Sequence, residues 1–291
     1  MKKTIKENLT GYAFLLPNIL GFLVFVFLPV FASLVLSFFE WDLFSTPVFV
    51  GVANFVKLVK DTYFWKYLLN TLFFMLGIPV GMAVSLLFAI MMNQKIKGIV
   101  FFRTVYFMPV VSSFVACALL WRWIYNPDFG LLNGLLKMVG INGPAWLSST
   151  TWAKPAIILM NIWKGAGYNM LLYLAALQGI PDFLYEAAEV DGADIWNKFW
   201  HITFPLLSPT HFFIIIMSVI GVFQTFGEIF MMTGGGPGGS TTTIVYYIYN
   251  NAFQWFHMGY ASAISWALFA LIFGATILQW KYTAKFRELT Y

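Results

Sequence analysis

Of the twelve carboxylates in this 291-residue chain, five (Asp182, Glu186, Glu189, Asp191 and Asp194) fall within residues 182–194. Clustered carboxylates do acid–base work or hold metals when His or Cys stands beside them. Here His201, His211 and His257 sit at unrelated spacings and Cys117 is single, so a metal site, a disulfide and a thiolate centre are all set aside. These acids instead surround an apolar stripe. Pro181 suits a first helical position, after which Phe183, Leu184, Ala187 and Ala188 recur at helical spacing as far as Asp191-Gly192. Gly192 is suited to the positive φ that ends a helix, and a second helix from about Ala193 carries Ile195, Trp196 and Phe199 towards Pro205. An amphipathic helix that rests on lipid favours Lys and Arg, whereas this acidic one is repelled by anionic headgroups. The pattern points to docking on a protein partner.

A second set of charges lies inside apolar runs, where each costs about 2.5–3.5 kcal/mol on insertion scales. Asn161, Lys164, Gly165 and Tyr168 share one helical face, as do Gly221, Gln224, Thr225 and Glu228. By helical rise Lys164 lies roughly 18 Å below the outer end of its run, Gln224 roughly 12 Å and Glu228 roughly 6 Å below theirs, so Gln224 is the expected neighbour of Lys164. Such faces either wall a hydrated cavity or bind one another between helices. The glycines from Gly234 to Gly239 lack the Lys and helix entry of a phosphate cradle, and the chain has no GxxxxGK[ST].

The elements that position these residues follow from composition: 60% hydrophobic, 20% aromatic and 10% charged, against about 25% charged in ordinary globular domains. The chain reads as an all-α, polytopic integral membrane protein forming one transmembrane domain. Six runs meet the length of a spanning helix: 12–39, 68–92, 99–121, 152–177, 206–232 and 261–280, with the acidic loop at about 181–205. The first is too long for a cleaved signal peptide and reads as a retained span. With an even count the termini share a side. Placing them inside puts Lys2, Lys3, Lys6, Lys95, Lys97, Arg103, Lys198, Lys281, Lys285 and Arg287 on the inner surface, against Lys57, Lys60, Lys66, Arg122, Lys137 and Lys154 outside. The acidic loop is then cytoplasmic. The net charge of +5 suits an anionic membrane surface, and the basic residues are too scattered for nucleic acid. Pro29, Pro79 and Pro109 fall within spans, where each removes a backbone bond. The outer stretch from Gly234 to Tyr260 lacks charged side chains; Thr241 to Thr243 suit a helix cap there, with Tyr246, Tyr247, Tyr249, Phe253, Trp255 and Phe256 as interfacial anchors.

The string LYEAAEVDGADIWNKFWHITFPLLSP, with Glu186-Ala187-Ala188, Gly192, Ile202 and Pro205 at the proper intervals, resembles the EAA loop of permease subunits of binding-protein-dependent ABC importers. LPNILGFLVFVFLPV, FFRTVYFMPVVSS, WRWIYNPDFGLLN and MTGGGPGGST resemble the sugar-importing branch, of maltose, lactose and multiple-sugar type, and specifically its first permease, so the likeness covers nearly the whole chain. Phe204 departs from the pattern, which usually has Leu before the Pro.

The resemblance implies a passage subunit in a bacterial or archaeal inner membrane, without cofactor and without enzymatic activity of its own. Its implied partners are a second, related permease, a dimer of ATPases, an external solute-binding protein and a carbohydrate. It also implies that the EAA loop docks in a cleft of the ATPase: Leu184, Ala187, Ala188 and Ile195 would fill the groove, Glu186 would pair with a basic residue, and Gly192 would allow the bend. Gly192→Asp is then expected to abolish coupled ATP hydrolysis. Asn161, Lys164, Tyr168, Asn169, Gln224 and Glu228 would line the sugar passage, with Trp163 and Phe223 available for stacking. An ion-coupled secondary transporter is the alternative, disfavoured by the lack of a visible inverted repeat and by a single carboxylate within the spans. An intramembrane enzyme would need a paired catalytic set at membrane depth, and no such pair of acids or histidines occurs.

Overall fold

A computed structural model describes residues 2–94 and 97–287. Lys95 lies outside the described residues, as do the side chains of Lys2, Lys3, Lys6, Lys285 and Arg287, so their contribution to sidedness is read from sequence alone.

The order is α1 (Lys2–Phe22), α2 (Leu28–Leu36), a two-stranded ribbon β1 (Phe39–Glu40) and β2 (Val48–Phe49), α3 (Ala53–Lys60), α4 (Thr62–Phe74), α5 (Gly77–Met92), α6 (Ile99–Val111) and α7 (Phe114–Ile124). There follow α8 (Leu131–Met138), α9 (Ala153–Gln178), α10 (Asp182–Val190), α11 (Ile195–Lys198), α12 (Phe204–Leu206), α13 (Ser208–Phe223), α14 (Gly227–Met232), α15 (Ile244–Tyr249) and α16 (Met258–Arg287). The expected all-α class is observed. Among the described residues, three helices are long and apolar enough to cross a membrane (Glu7–Leu36, Thr62–Met92 and Met258–Lys281), or up to five if two bent pairs are each one span. The expected span at 152–177 is not among these. It corresponds to α9, which is long enough to cross but carries Asn161, Lys164 and Asn169 and buries ten of its residues inside the protein.

Proline explains several departures from straight spans. In a helix its ring crowds the carbonyl four residues back. Pro79 does this to Met75, where α4 ends and α5 has not begun. Ahead of Pro29 and Pro205 the backbone widens instead, at Leu23–Phe27 and Phe199–Thr203, with Leu28 N–H reaching Leu23 O and Phe204 N–H reaching Phe199 O. The expected third span breaks elsewhere: Ser112 and Ser113 are extended and α6 meets α7 at 97°.

The chain divides into two compact units. In the unit formed by residues up to Phe64 with Tyr247–Ala270, α3 is joined to the C-terminal segment through Asp61. Its Oδ2 accepts from Tyr247 Oη at 2.7 Å and Tyr260 Oη at 2.6 Å, and its Oδ1 from Tyr63 N–H at 2.9 Å. Burial raises the Asp61 pKa, but the two phenols and the Tyr63 and Phe64 amides outweigh it, leaving the carboxyl below its ordinary 3.8. A depressed carboxylate stabilises the fold above its unfolded pKa, and that contribution disappears as pH falls through the folded value. Tyr247→Phe should therefore cost about 1 kcal/mol at neutral pH, discounted for partial exposure. In a thermal melt the deficit should shrink below about pH 4; a deficit independent of acid would show that the lost hydroxyl matters for a reason other than its bond to the Asp61 carboxylate. The same residue corrects the sequence reading, since Tyr246 and Tyr247 are buried and only Phe253, Trp255 and Phe256 stand out as exposed rings.

The second unit, built from Trp65–Tyr246 and the chain from Leu271 onward, centres on α9. Gly77 and Gly81 of α5 face Ile158 and Ile162 of α9, where a Cβ on Gly77 would come within 2.8 Å of Ile158 Cγ2. A Cβ on Gly167 would collide with the Tyr106 carbonyl of α6. This is the small-residue contact that lets membrane helices approach closely. Two apolar cores result, one around Phe74, Ala118, Tyr125, Met160 and Ile229, the other around Leu86, Ala89, Met170, Tyr173, Leu207 and Ile214. The phenols buried in them are bonded, Tyr125 Oη to Ala156 O at 2.8 Å and Tyr173 Oη to His211 Nδ1 at 2.8 Å.

Candidate functional site: an acidic helical bracket and a polar cavity

The bracket spans α10 and α11. Asp182 lies in the first turn of α10, where an acid complements the helix dipole. The end of α10 is closed by two bonds, Ala193 N–H to Ala188 O at 2.8 Å and Gly192 N–H to Glu189 O at 3.0 Å. With Gly192 at φ +79°, this is the glycine-dependent Schellman stop. Asp194 then caps α11 by accepting from Asn197 N–H at 2.7 Å. Lys198 bridges back to Glu189 at 2.8 Å, and its hydrogen bond and charge hold the Glu189 carboxyl below the usual range. The bracket is thus fixed from within, by backbone bonds at Gly192 and by the side chains of Asp194 and Lys198. The expected second helix, however, is only Ile195–Lys198 before the backbone widens at Phe199.

The helical phase of α10 differs from the expected one. Leu184 packs inward with Tyr185 against the second core, anchored where Tyr185 Oη meets Thr203 Oγ1 at 2.9 Å, and Ala188 is half-buried. The outward face is Phe183, Glu186, Ala187 and Val190, at i, i+3, i+4 and i+7. Beyond Gly192 it continues in Ile195, which is 83% exposed, and Trp196. Of the residues expected to face a partner, Glu186, Ala187, Gly192 and Ile195 are exposed and Leu184 is not. Phe183, Val190 and Trp196 were missed. The signal for them was the aromatic-to-aliphatic repeat of Phe183 and Val190 one heptad apart.

The second feature is a cavity of about 360 Å³ between α5, α9, α13 and α14. Asn161, Lys164, Gly165 and Asn169 line it from α9; Ser218, Gly221, Thr225 and Glu228 line it from the other side. The structure therefore brings together Asn161, Lys164, Asn169 and Glu228 of the expected set. It leaves out Tyr168 and Gln224, both of which are exposed elsewhere. Thr225, on the face expected to wall a cavity, does line it, whereas Ser218 was not expected there.

Lys164 does not turn to Gln224. Its ammonium donates to Pro109 O at 3.0 Å and Ser112 O at 3.1 Å. These carbonyls end α6 at the break before α7, so the lysine caps a helix C-terminus and complements its dipole. Glu228 lines the same cavity as Lys164, but among the described residues the ion pair formed is Lys198 with Glu189.

Above α4 and α9, the glycine segment before α15 is tied down by its carbonyls: Lys66 donates to Gly238 O at 2.9 Å, and Asn70 to Gly239 O at 2.9 Å and Thr242 O at 3.0 Å. Thr243 caps α15, accepting from Tyr246 N–H at 3.3 Å.

Comparison with known proteins identifies the family. The sequence pattern of the binding-protein-dependent transport system inner membrane component family matches residues 15–287. The chain is 38% identical to the probable ABC transporter permease protein YesP of Bacillus subtilis (strain 168), over 95% of this chain and 91% of that one. It is also 38% identical to the lactose transport system permease protein LacF of Rhizobium radiobacter, over 97% and 96%. A solved bacterial ABC transporter involved in the import of the acidic polysaccharide alginate contains a chain that superposes with TM-score 0.85 at 28% identity, covering 97% of this chain and 98% of that one. An exposed helical bracket and a polar cavity among apolar helices, in a sequence matched over almost its full length, make this chain a member of the family of inner-membrane components of binding-protein-dependent transport systems.

Proposed function

We propose that this chain is one of two related permeases in an ABC importer, that it passes a carbohydrate through the 360 Å³ cavity, and that it takes its drive from a separate pair of ATPase subunits docked on the α10–α11 bracket. The observation that carries this reading is the outward face of Phe183, Glu186, Ala187, Val190 and Ile195: apolar, acidic at its rim and exposed among the described residues. A solvated face of that composition gains by burial against a partner, at about 25 cal/mol per Å² of apolar area. The termini lie on the cytoplasmic side with the bracket, and a solute-binding protein delivers substrate at the opposite face. Carbohydrate is favoured because the relatives include a lactose permease and a component of an alginate importer. The cavity suits it, with amide, hydroxyl, ammonium and carboxylate groups able to donate to and accept from sugar hydroxyls.

The test is ATP hydrolysis by the complete transporter in lipid, with its binding protein, across a panel of neutral and acidic sugars. One sugar should stimulate turnover and enter the vesicles. Uptake by this chain alone, without any ATPase, would overturn the reading.

A further inference from the structure

The unit formed by residues up to Phe64 with Tyr247–Ala270 holds a second polar pocket, of about 260 Å³, between the β1–β2 ribbon, α3 and the residues leading into α16. In the orientation proposed above it opens on the outer face. Its walls are built with care. Met258 N–H donates to Trp41 O at 3.0 Å, and His257 N–H to Asn251 O at 2.7 Å. Gly259 packs so closely that a Cβ would collide with Phe39 O. Asn54, only 8% exposed, donates to Ser37 O at 3.0 Å and Phe39 O at 2.9 Å. Phe256, at φ +56°, holds a left-handed backbone conformation that is strained for a non-glycine residue.

The groups left over have a definite chemistry. Asp42 Oδ1 is taken up by its own turn, accepting from Phe44 N–H, Ser45 N–H and Ser45 Oγ, and among the described residues no group of His, Cys, Asp and Glu is arranged to hold a metal ion. Among the described residues the Glu40 carboxylate and the His257 ring have no hydrogen-bond or ion-pair partner, and Lys57 Nζ lies over the Tyr260 ring at 4.4 Å. An acceptor, a donor and an imidazole that is both therefore converge beside the rings of Trp41 and Phe256. Ligands rich in hydroxyls need donors and acceptors together, with an apolar surface for the ring face; an apolar ligand would leave the charged groups unpaired. The volume is below the roughly 300–1,000 Å³ of pockets for larger ligands. At roughly 30 Å³ per water it equals eight or nine waters, room for one sugar ring and not for an extended oligosaccharide.

We propose that this pocket is a second saccharide site, separate from the passage, which receives a single pyranose or furanose unit on the outer face. The proposal rests on the carbohydrate reading above and places a waiting position before the cavity.

The experiment is saturation-transfer NMR on the complete transporter in lipid nanodiscs, without binding protein, using glucose, galactose and arabinose as probes. At least one sugar should receive magnetisation, and the signal should fall severalfold in the double variant Glu40→Gln/His257→Ala. No transfer to any sugar from the unaltered transporter overturns the proposal, with no variant needed. So does a signal lost in Asn161→Ala and kept in the double variant, which would locate all binding in the passage. A double variant that binds sugar normally but loses affinity for the binding protein also overturns it, assigning the pocket to protein docking. Failure of the importer reading would be seen separately, as no ATP-driven sugar uptake by the unaltered transporter with its binding protein.

Discussion

Gly192→Val is expected to lower binding-protein-stimulated ATP hydrolysis at least tenfold, while the chain still inserts and assembles. Gly192 sits at φ +79°, and a Cβ built there meets no atom within 4 Å. The penalty is therefore torsional: about 1–3 kcal/mol for a side chain in the left-handed region, at its worst for a β-branched one. The bonds from Ala193 to Ala188 and from Gly192 to Glu189 depend on that torsion, so the strain is relieved by letting go of the stop and re-aiming α11. Ile195 and Trp196 then leave the face they share with Phe183 and Val190. Since 1.4 kcal/mol is a factor of ten in affinity, a displaced apolar anchor is enough for the stated loss. Gly192→Asn separates the causes, because asparagine tolerates the left-handed region. Activity retained in Asn and lost in Val assigns the effect to the backbone. Equal loss in both points to a side chain meeting the ATPase surface, and Val within twofold of the unaltered transporter would sink the assignment. The expectation from sequence, Gly192→Asp, is the less clean test, since aspartate also tolerates this torsion and adds a charge.

What was legible in the sequence were features set by local chemistry. Apolar run lengths gave the helical membrane class, and Asp191-Gly192 gave the stop of α10 at its observed position. The capping role of Thr243 was equally visible. What was not legible depended on neighbours. The phase of α10 is decided by Tyr185 reaching Thr203, eighteen residues on, a pairing that periodicity cannot anticipate. The break between α6 and α7 falls at Ser112–Ser113, three residues past Pro109, and is held open by a lysine on another helix. Depth counting failed for the same reason: it compared Lys164 with Gln224 along straight axes, whereas α13 ends at Phe223 and leaves Gln224 facing away from the cavity. The cavity residues Asn161 and Asn169 were found because they lie on α9, the long unbroken helix, where helical spacing carries through from end to end.

Lys164→Met is expected to lower the unfolding midpoint of the assembled transporter and its transport rate together. Methionine fills similar space, so the change removes chiefly the ammonium that donates to Pro109 O and Ser112 O. Neither carbonyl has a helical partner to fall back on: Ser112 N–H already bonds Met108 O, and Ser113 is extended. In a membrane interior each unsatisfied carbonyl costs about 1–3 kcal/mol. Lys164 also borders the cavity, and water there can reach one of the two, so a total of about 2–4 kcal/mol is expected. At about 2.1 cal/mol/K of unfolding entropy per residue, a 291-residue chain shifts by roughly 3–7 °C in midpoint. Lys164→Arg should recover most of the loss, because its fork can span two acceptors and keeps its charge. The split between parameters decides what the lysine does. A residue that only holds sugar would raise the KM and leave the midpoint alone, since nothing in the apo fold would depend on it. A residue that holds the 97° elbow should cost stability first, and transport because α7 and α14, which pack together and carry Glu228 to the cavity, would lose their fixed place.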